Sequence, residues 1–360
     1  MHARKLSLLL FAALGVAAAT GIVRCIAHGP ERVTTAALQS ALAGIDRLAA
    51  EFPSPGDAPL AFPADHAPKP GQFVESWLFA GLVRDDAGEA WGFQLAFERV
   101  AVQAEAVSRE SEWAVRDVWR ARLAVERAGT RAAAGERISR AALGLAGASD
   151  TPAAAWVEDW RFELQESGDR FRLQGAAGGA AVDLHLRLPA TAPVAIGREP
   201  YRGYWWPGLE VAGTLVLEGR ESAVTGRAML DRVWGRGLPV GRGQLALAGL
   251  WLELADGAAY RCEQLRRRAG GGTPLTECNT VPPADALLLA PRDDGWRVLD
   301  GVRYPLQWQV QLGAEVGTLG LRPLSASGAV WLDGAWVGIV VAEGDREGWG
   351  LLQLSNFAPP

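Results

Sequence analysis

The chain has 360 residues, 49% of them hydrophobic and 21% charged, which is enough apolar material for more than one core and excludes a disordered chain or a bundle of membrane helices. The formal net charge of −5, with two lysines against 34 arginines that acids balance, gives no basic face for a nucleic acid, which is not an expected partner. Fifteen tryptophans are the compositional outlier, and such a surplus on strands points to aromatic-lined pockets or apolar cavities.

In chain order, His2-Ala3-Arg4-Lys5 precedes the apolar run Leu6–Ala19, a basic and then hydrophobic opening with Ala17-Ala18-Ala19 as a cleavage signal. Residues 1–24 are therefore expected to be a signal peptide or, if uncleaved, a membrane anchor, which places the protein in the periplasm or another extracytoplasmic space. Arg24 before Cys25 argues against lipoprotein processing. Between Glu31 and Glu51, Leu38, Leu42, Ile45 and Leu48 fall at helical spacing, and Pro53, Pro55, Pro59, Pro63, Pro68 and Pro70 then make an extended arm. Residues 25–60 are read as this helix and linker.

Everything after the arm reads as strands. Trp160–Leu164, Phe171–Leu173 and Val182–Leu188 alternate apolar and polar residues, and turn signals such as Asp85-Asp86-Ala87-Gly88 and Leu332-Asp333-Gly334 recur roughly every 8–15 residues. The expected fold is all-β, as antiparallel barrels or sandwiches. The Pro-containing stretch 189–200 is the best internal boundary, dividing the β region into 61–195 and 196–360. Cys262 and Cys278 flank Gly270-Gly271-Gly272 and either bridge across a hairpin or stay as two buried thiols. No metal or other cofactor is expected, because His66 and His185 are the histidines beyond residue 28 and neither lies near a cysteine pair.

No nucleophile elbow, Walker lysine or dinucleotide fingerprint occurs, which sets aside the common hydrolase and nucleotide chemistries. Aromatic and acidic clusters remain: Asp65-His66, Glu75-Ser76-Trp77, Tyr204-Trp205-Trp206 and Asp231-Arg232-Val233-Trp234-Gly235. With Phe62-Pro63-Ala64-Asp65-His66, Trp91-Gly92-Phe93-Gln94-Leu95-Ala96-Phe97, Trp156-Val157-Glu158-Asp159-Trp160 and Trp331-Leu332-Asp333-Gly334-Ala335, this ordered series resembles the AttH and carotenoid 1,2-hydratase family over residues 61–357. The resemblance implies two lipocalin-like barrels in tandem, and family members often stand beside ABC-type permeases, which implies an accessory role in membrane transport. Several acidic and aromatic positions of the family differ here. Arg232 stands where a histidine is usual, Ser76 replaces a second tryptophan, and Gln353 and Phe357 replace a glutamate and a tyrosine.

Two functions are weighed on these residues. The first is binding of a hydrophobic small molecule of the lipid or isoprenoid class, with Trp77, Tyr204, Trp205, Trp206 and Trp234 lining a barrel cavity. The second is a hydratase or isomerase in which Asp231 protonates a C=C bond, Glu75 or His66 assists, and indoles steady the cation. Erosion of the acidic positions favours binding. In a regular strand Asp231 and Trp234 face opposite sides, and a loop-capping role for Asp231 or an anchoring role for Asp65 and His66 are the plainer alternatives.

Overall fold

A computed structural model describes residues 47–104, 116–238, 241–269, 273–283, 287–312, 317–325 and 327–357. The leader and most of the expected helix lie outside the described residues; residues 47–50 are helical. From there to residue 63 the prolines keep the arm irregular, and a single 3-10 turn, Ala64–His66, follows.

Alternation in the sequence becomes alternation in space. The first sheet comprises β1 (Val74–Asp85), β2 (Ala90–Ala101), β3 (Asp117–Arg127), β4 (Ala133–Arg140), β5 (Ala146–Asp150), β6 (Ala153–Val157), β7 (Trp160–Leu164), β8 (Arg170–Ala177), β9 (Ala180–Arg187), β10 (Val194–Arg198), β11 (Tyr201–Leu217) and β12 (Arg220–Gly235). Its order is β4-β3-β2-β1-β12-β11-β9-β8-β7-β6-β5, antiparallel throughout, with β10 on β11. The second sheet comprises β13 (Leu245–Leu254), β14 (Ala259–Arg267), β15 (Leu275–Val281), β16 (Leu287–Pro291), β19 (Trp308–Leu312), β20 (Thr318–Pro323), β21 (Ala329–Val330), β22 (Trp336–Gly344) and β23 (Gly348–Ser355), while β17 (Trp296–Leu299) and β18 (Val302–Pro305) make a separate ribbon. The expected all-β architecture of two antiparallel barrels is what the chain adopts, each sheet curling until it is nearly closed.

The expected boundary at 195/196 is corrected. β11 and β12 pair with β9 and β1, so the first sheet runs to Gly235 and the prolines of 189–200 mark only a loop within it. Turn residues behave as their chemistry requires. Asp85 Oδ1 accepts the backbone N–H groups of Ala87 and Glu89, Gly88 takes φ +78°, and Asp85 Oδ2 accepts Trp91 Nε1 at 3.1 Å.

The barrels lie side by side. Outward faces of β1, β2, β11 and β12 carry Leu78, Ala80, Ala96, Trp205, Met229 and Val233, which pack on Trp251, Val337, Ile339, Trp349 and Leu351 of the second barrel. β1 from Val74 to Val83 and β12 from Ala228 to Gly235 are thereby buried or nearly buried on both faces, which suits the apolar run Trp77–Val83 of β1.

Candidate functional site

On β1, Glu75, Trp77 and Phe79 point into the first barrel, and on β12 so do Leu230, Arg232 and Trp234, since alternate residues share a face. On β11, Tyr204 and Trp206 face inward and Trp205 faces the second barrel. Gly203 makes this possible: a Cβ there would fall 1.8 Å from the Arg232 carbonyl oxygen, so only glycine lets β11 run tight against β12 and seat Tyr204 opposite Arg232.

The interior is filled. Trp77, Phe79, Phe162 and Phe171 are at most 1% exposed, and their rings meet at tilted or edge-on angles with centroids 5.3–6.1 Å apart. The expected open, Trp-lined cavity is not what these rings form. Indoles here act as packing, and the less enclosed aromatic surface lies at one end of the barrel, where Trp206 is 8% and Phe62 37% exposed.

That end is covered by the arm. Phe62 sits 5.0 Å from the Tyr204 and His66 rings and 5.2 Å from Trp206. His66 stacks on Trp206 at 5.9 Å and meets Phe171 edge-on at 5.0 Å. Its Nδ1 shares a 2.6 Å hydrogen bond with the Tyr204 hydroxyl, and its carbonyl accepts Trp77 Nε1 at 3.0 Å. Burial, helped by the Arg232 charge, pushes the imidazole down to about 4, and burial pushes the Tyr204 phenol above its ordinary range. At neutral pH both members of the pair are uncharged.

Beneath this pair lies a charged layer. Glu75, fully buried, accepts Arg99 at 2.7 Å, the Lys69 backbone N–H at 2.6 Å and Arg232. The Arg232 guanidinium carbon lies over the Trp77 ring, 3.8 Å from its centroid, and the group also donates to the Ala67 carbonyl at 3.1 Å. Arg99 continues to Asp117 at 2.6 Å and to the carbonyls of Lys69 and Gln72. Asp65 accepts Lys69 at 2.7 Å and the Ala61 N–H at 2.6 Å. These bonds fasten the arm onto the barrel mouth.

Of the residues named from the sequence, His66, Glu75, Trp77, Tyr204, Trp206 and Trp234 thus come together in the first barrel. Asp231 and Trp205 do not. Asp231 points between the barrels, where it accepts Arg261 at 2.5 Å and Trp251 Nε1 at 2.8 Å, and its partner is not the neighbouring Arg232. A carboxylate locked in an ion pair away from His66 and Glu75 is not placed to protonate a substrate with them, which corrects the expected catalytic trio. Sequence reasoning missed Phe62 and Phe171 as ring partners of His66, and Arg232 as the counter-charge of Glu75. The alternation of Leu230, Arg232 and Trp234 was the available signal for the last of these. Cys262 and Cys278 stand opposite each other on β14 and β15 and are bonded as a disulfide.

A family model described as AttH-like matches residues 53–357. Among solved structures, a protein assigned as an AttH from Nitrosomonas europaea is 22% identical, with TM-score 0.67 over 84% of this chain and 98% of that one. Kievitone hydratase from Nectria haematococca is 14% identical, with TM-score 0.55 over 84% of this chain and 95% of its own. CghA with Sch210972 is 15% identical, with TM-score 0.52 over 87% of this chain and 97% of that one. At these identities the likeness is one of fold. No curated protein matches the sequence.

Proposed function

The chain belongs to the AttH-like family, and on that footing we propose that it binds a hydrophobic small molecule, of the lipid or isoprenoid class, at the mouth of its first barrel. The observation that carries this reading is the ring cluster of Phe62, His66, Tyr204 and Trp206, in which Phe62 is 37% exposed and Phe62 and His66 come from the arm rather than from the sheet. Apolar rings give the contact area, and the neutral His66–Tyr204 pair offers a hydrogen bond to a hydroxyl or carbonyl at low desolvation cost. Because the interior is filled, the ligand takes the place of Phe62 rather than a preformed void. We also place the protein outside the cytoplasm, a reading supported by the basic and apolar opening of the chain and by the bonded Cys262–Cys278 pair.

The test is a titration of retinol and of oleate, followed by tryptophan fluorescence. Trp206→Phe is expected to weaken binding by about tenfold or more, the loss of a well-packed indole contact, while Trp205→Phe leaves it unchanged. Equal effects of the two substitutions, or no response to either compound, contradict the reading.

A catalytic alternative draws support from the hydratase among the structural neighbours and from the same pair. Neither member is a strong acid at neutral pH, so protonation of an isolated alkene is not the chemistry it suits. A conjugated double bond needs only a neutral donor on its carbonyl, and water addition to it fits His66 and Tyr204 better. Uptake of ¹⁸O from labelled water into an α,β-unsaturated ketone, lost in Tyr204→Phe, would support that alternative.

A further inference from the structure

The second barrel contains a charge that none of its described residues answers with a carboxylate. Along β14, Cys262, Gln264 and Arg266 share the inward face, as the burial of Cys262 in the second core establishes. Gln264 is 1% exposed, and its amide N–H₂ donates to Thr276 Oγ1 at 3.0 Å and to the Leu289 carbonyl at 2.8 Å, across the seam between β15 and β16. Those two bonds fix the amide, and its Oε1 is buried with no donor.

Two residues further along, the Arg266 guanidinium lies 5.9 Å from the Trp308 ring, and its Nη1 is buried with no acceptor. Among the described residues no carboxylate forms an ion pair with it. Burial alone pushes this guanidinium below its ordinary value, whereas Arg261 on the same strand is met by Asp231 and Glu263. A half-buried cation without a counter-charge and a buried carbonyl without a donor each carry a desolvation cost, and both are answered by one molecule that brings an acceptor and a donor.

We propose that the inward face of β14 is a binding site for a small hydroxy-carboxylate, its carboxylate on Arg266, its hydroxyl donating to Gln264 Oε1 and its apolar part against Trp308. Arg266 and Gln264 read the polar head. Trp308, 5.9 Å from the Arg266 guanidinium, borders the site on its apolar side. The site belongs to the other barrel from the ring cluster at the mouth and stands independently of it.

Calorimetric titration with mandelate tests this, with phenylacetate as the analogue lacking the hydroxyl. The full-length protein is expected to bind mandelate, Arg266→Gln to bind it at least about tenfold more weakly, as loss of a charge-assisted bond implies, and Leu143→Ala on the exposed surface of the first barrel to bind it unchanged. Equal affinity for phenylacetate contradicts the role of Gln264. No heat with mandelate, or an undiminished affinity in Arg266→Gln, overturns the proposal. Ligand-free Arg266→Met is expected to melt at or above the wild-type temperature, because it removes an unanswered charge and keeps the side-chain volume; melting below the wild type overturns the proposal as well.

Discussion

His66 shows how much a single buried ring commits the barrel mouth to one charge state. Its folded value of about 4 lies below the unfolded value of 6.5, so the unfolded chain takes up the proton first as pH falls. Stability tied to His66 is complete above about 6.5 and is lost on descent through 4, by about 3 kcal/mol in all. Urea unfolding of the wild type and His66→Gln in parallel at pH 7 and pH 4.5 is expected to isolate this contribution, the drop in pH costing the wild type about 2 kcal/mol more than the variant. Glu75 is the opposite case, a buried carboxylate between two arginines. Its replacement by glutamine leaves Arg99 and Arg232 underpaired, with an expected loss of about 3–5 kcal/mol in the same unfolding measurement. Both residues were legible as candidates in the D-H and E-S-W spacings. The fate of Asp231 was not, because β12 is buried on both faces from Ala228 to Gly235, where Asp231 and Arg232 stand side by side and the sequence does not say which of the two faces the lumen.

At the scale of elements, the contact between barrels rests on strands rather than linkers. Glu126 of β3 accepts the Ile339 N–H of β22 at 2.7 Å, and burial pushes its carboxyl up to about 7. A raised folded value stabilises below the unfolded value near 4.5 and is lost as pH rises through 7. The stability tied to Glu126 is therefore expected to fall between about pH 4.5 and pH 7 and to level off above that, as followed by thermal unfolding. Glu126→Gln, which keeps the acceptor, is expected to flatten that fall and to gain about 2–3 kcal/mol at pH 9. Within the second barrel the Cys262–Cys278 bond closes a 16-residue separation. Removing it with Cys262→Ser is expected to cost about 3 kcal/mol, and alkylation without reduction is expected to leave both thiols unmodified in the wild type. The hairpin geometry was open to either outcome on sequence alone, since facing positions and merely buried ones share the same spacing.

For the whole molecule, alternation and turn chemistry were enough to announce an all-β chain of two units. The division between the units was not, because the pairing of β1 with β12 joins residues 74–85 to 224–235 and leaves no local mark, while prolines inside a sheet loop imitate a boundary. Nor does a surplus of tryptophan distinguish a hollow barrel from a filled one: the same indole lines a cavity or plugs it, and here Trp77 and Trp119 stack at 6.0 Å within the core. What survives at this scale is a two-barrel scaffold whose arm carries Phe62 and His66 onto one mouth. The most direct measurement is photolabelling of the folded protein with a diazirine-bearing fatty acid, mapped by peptide mass spectrometry. Covalent label concentrated on the peptides holding Phe62–Lys69 and Tyr204–Trp206, and displaced by unlabelled oleate, is the predicted result; label spread over the exterior, or absent from both segments, would contradict it.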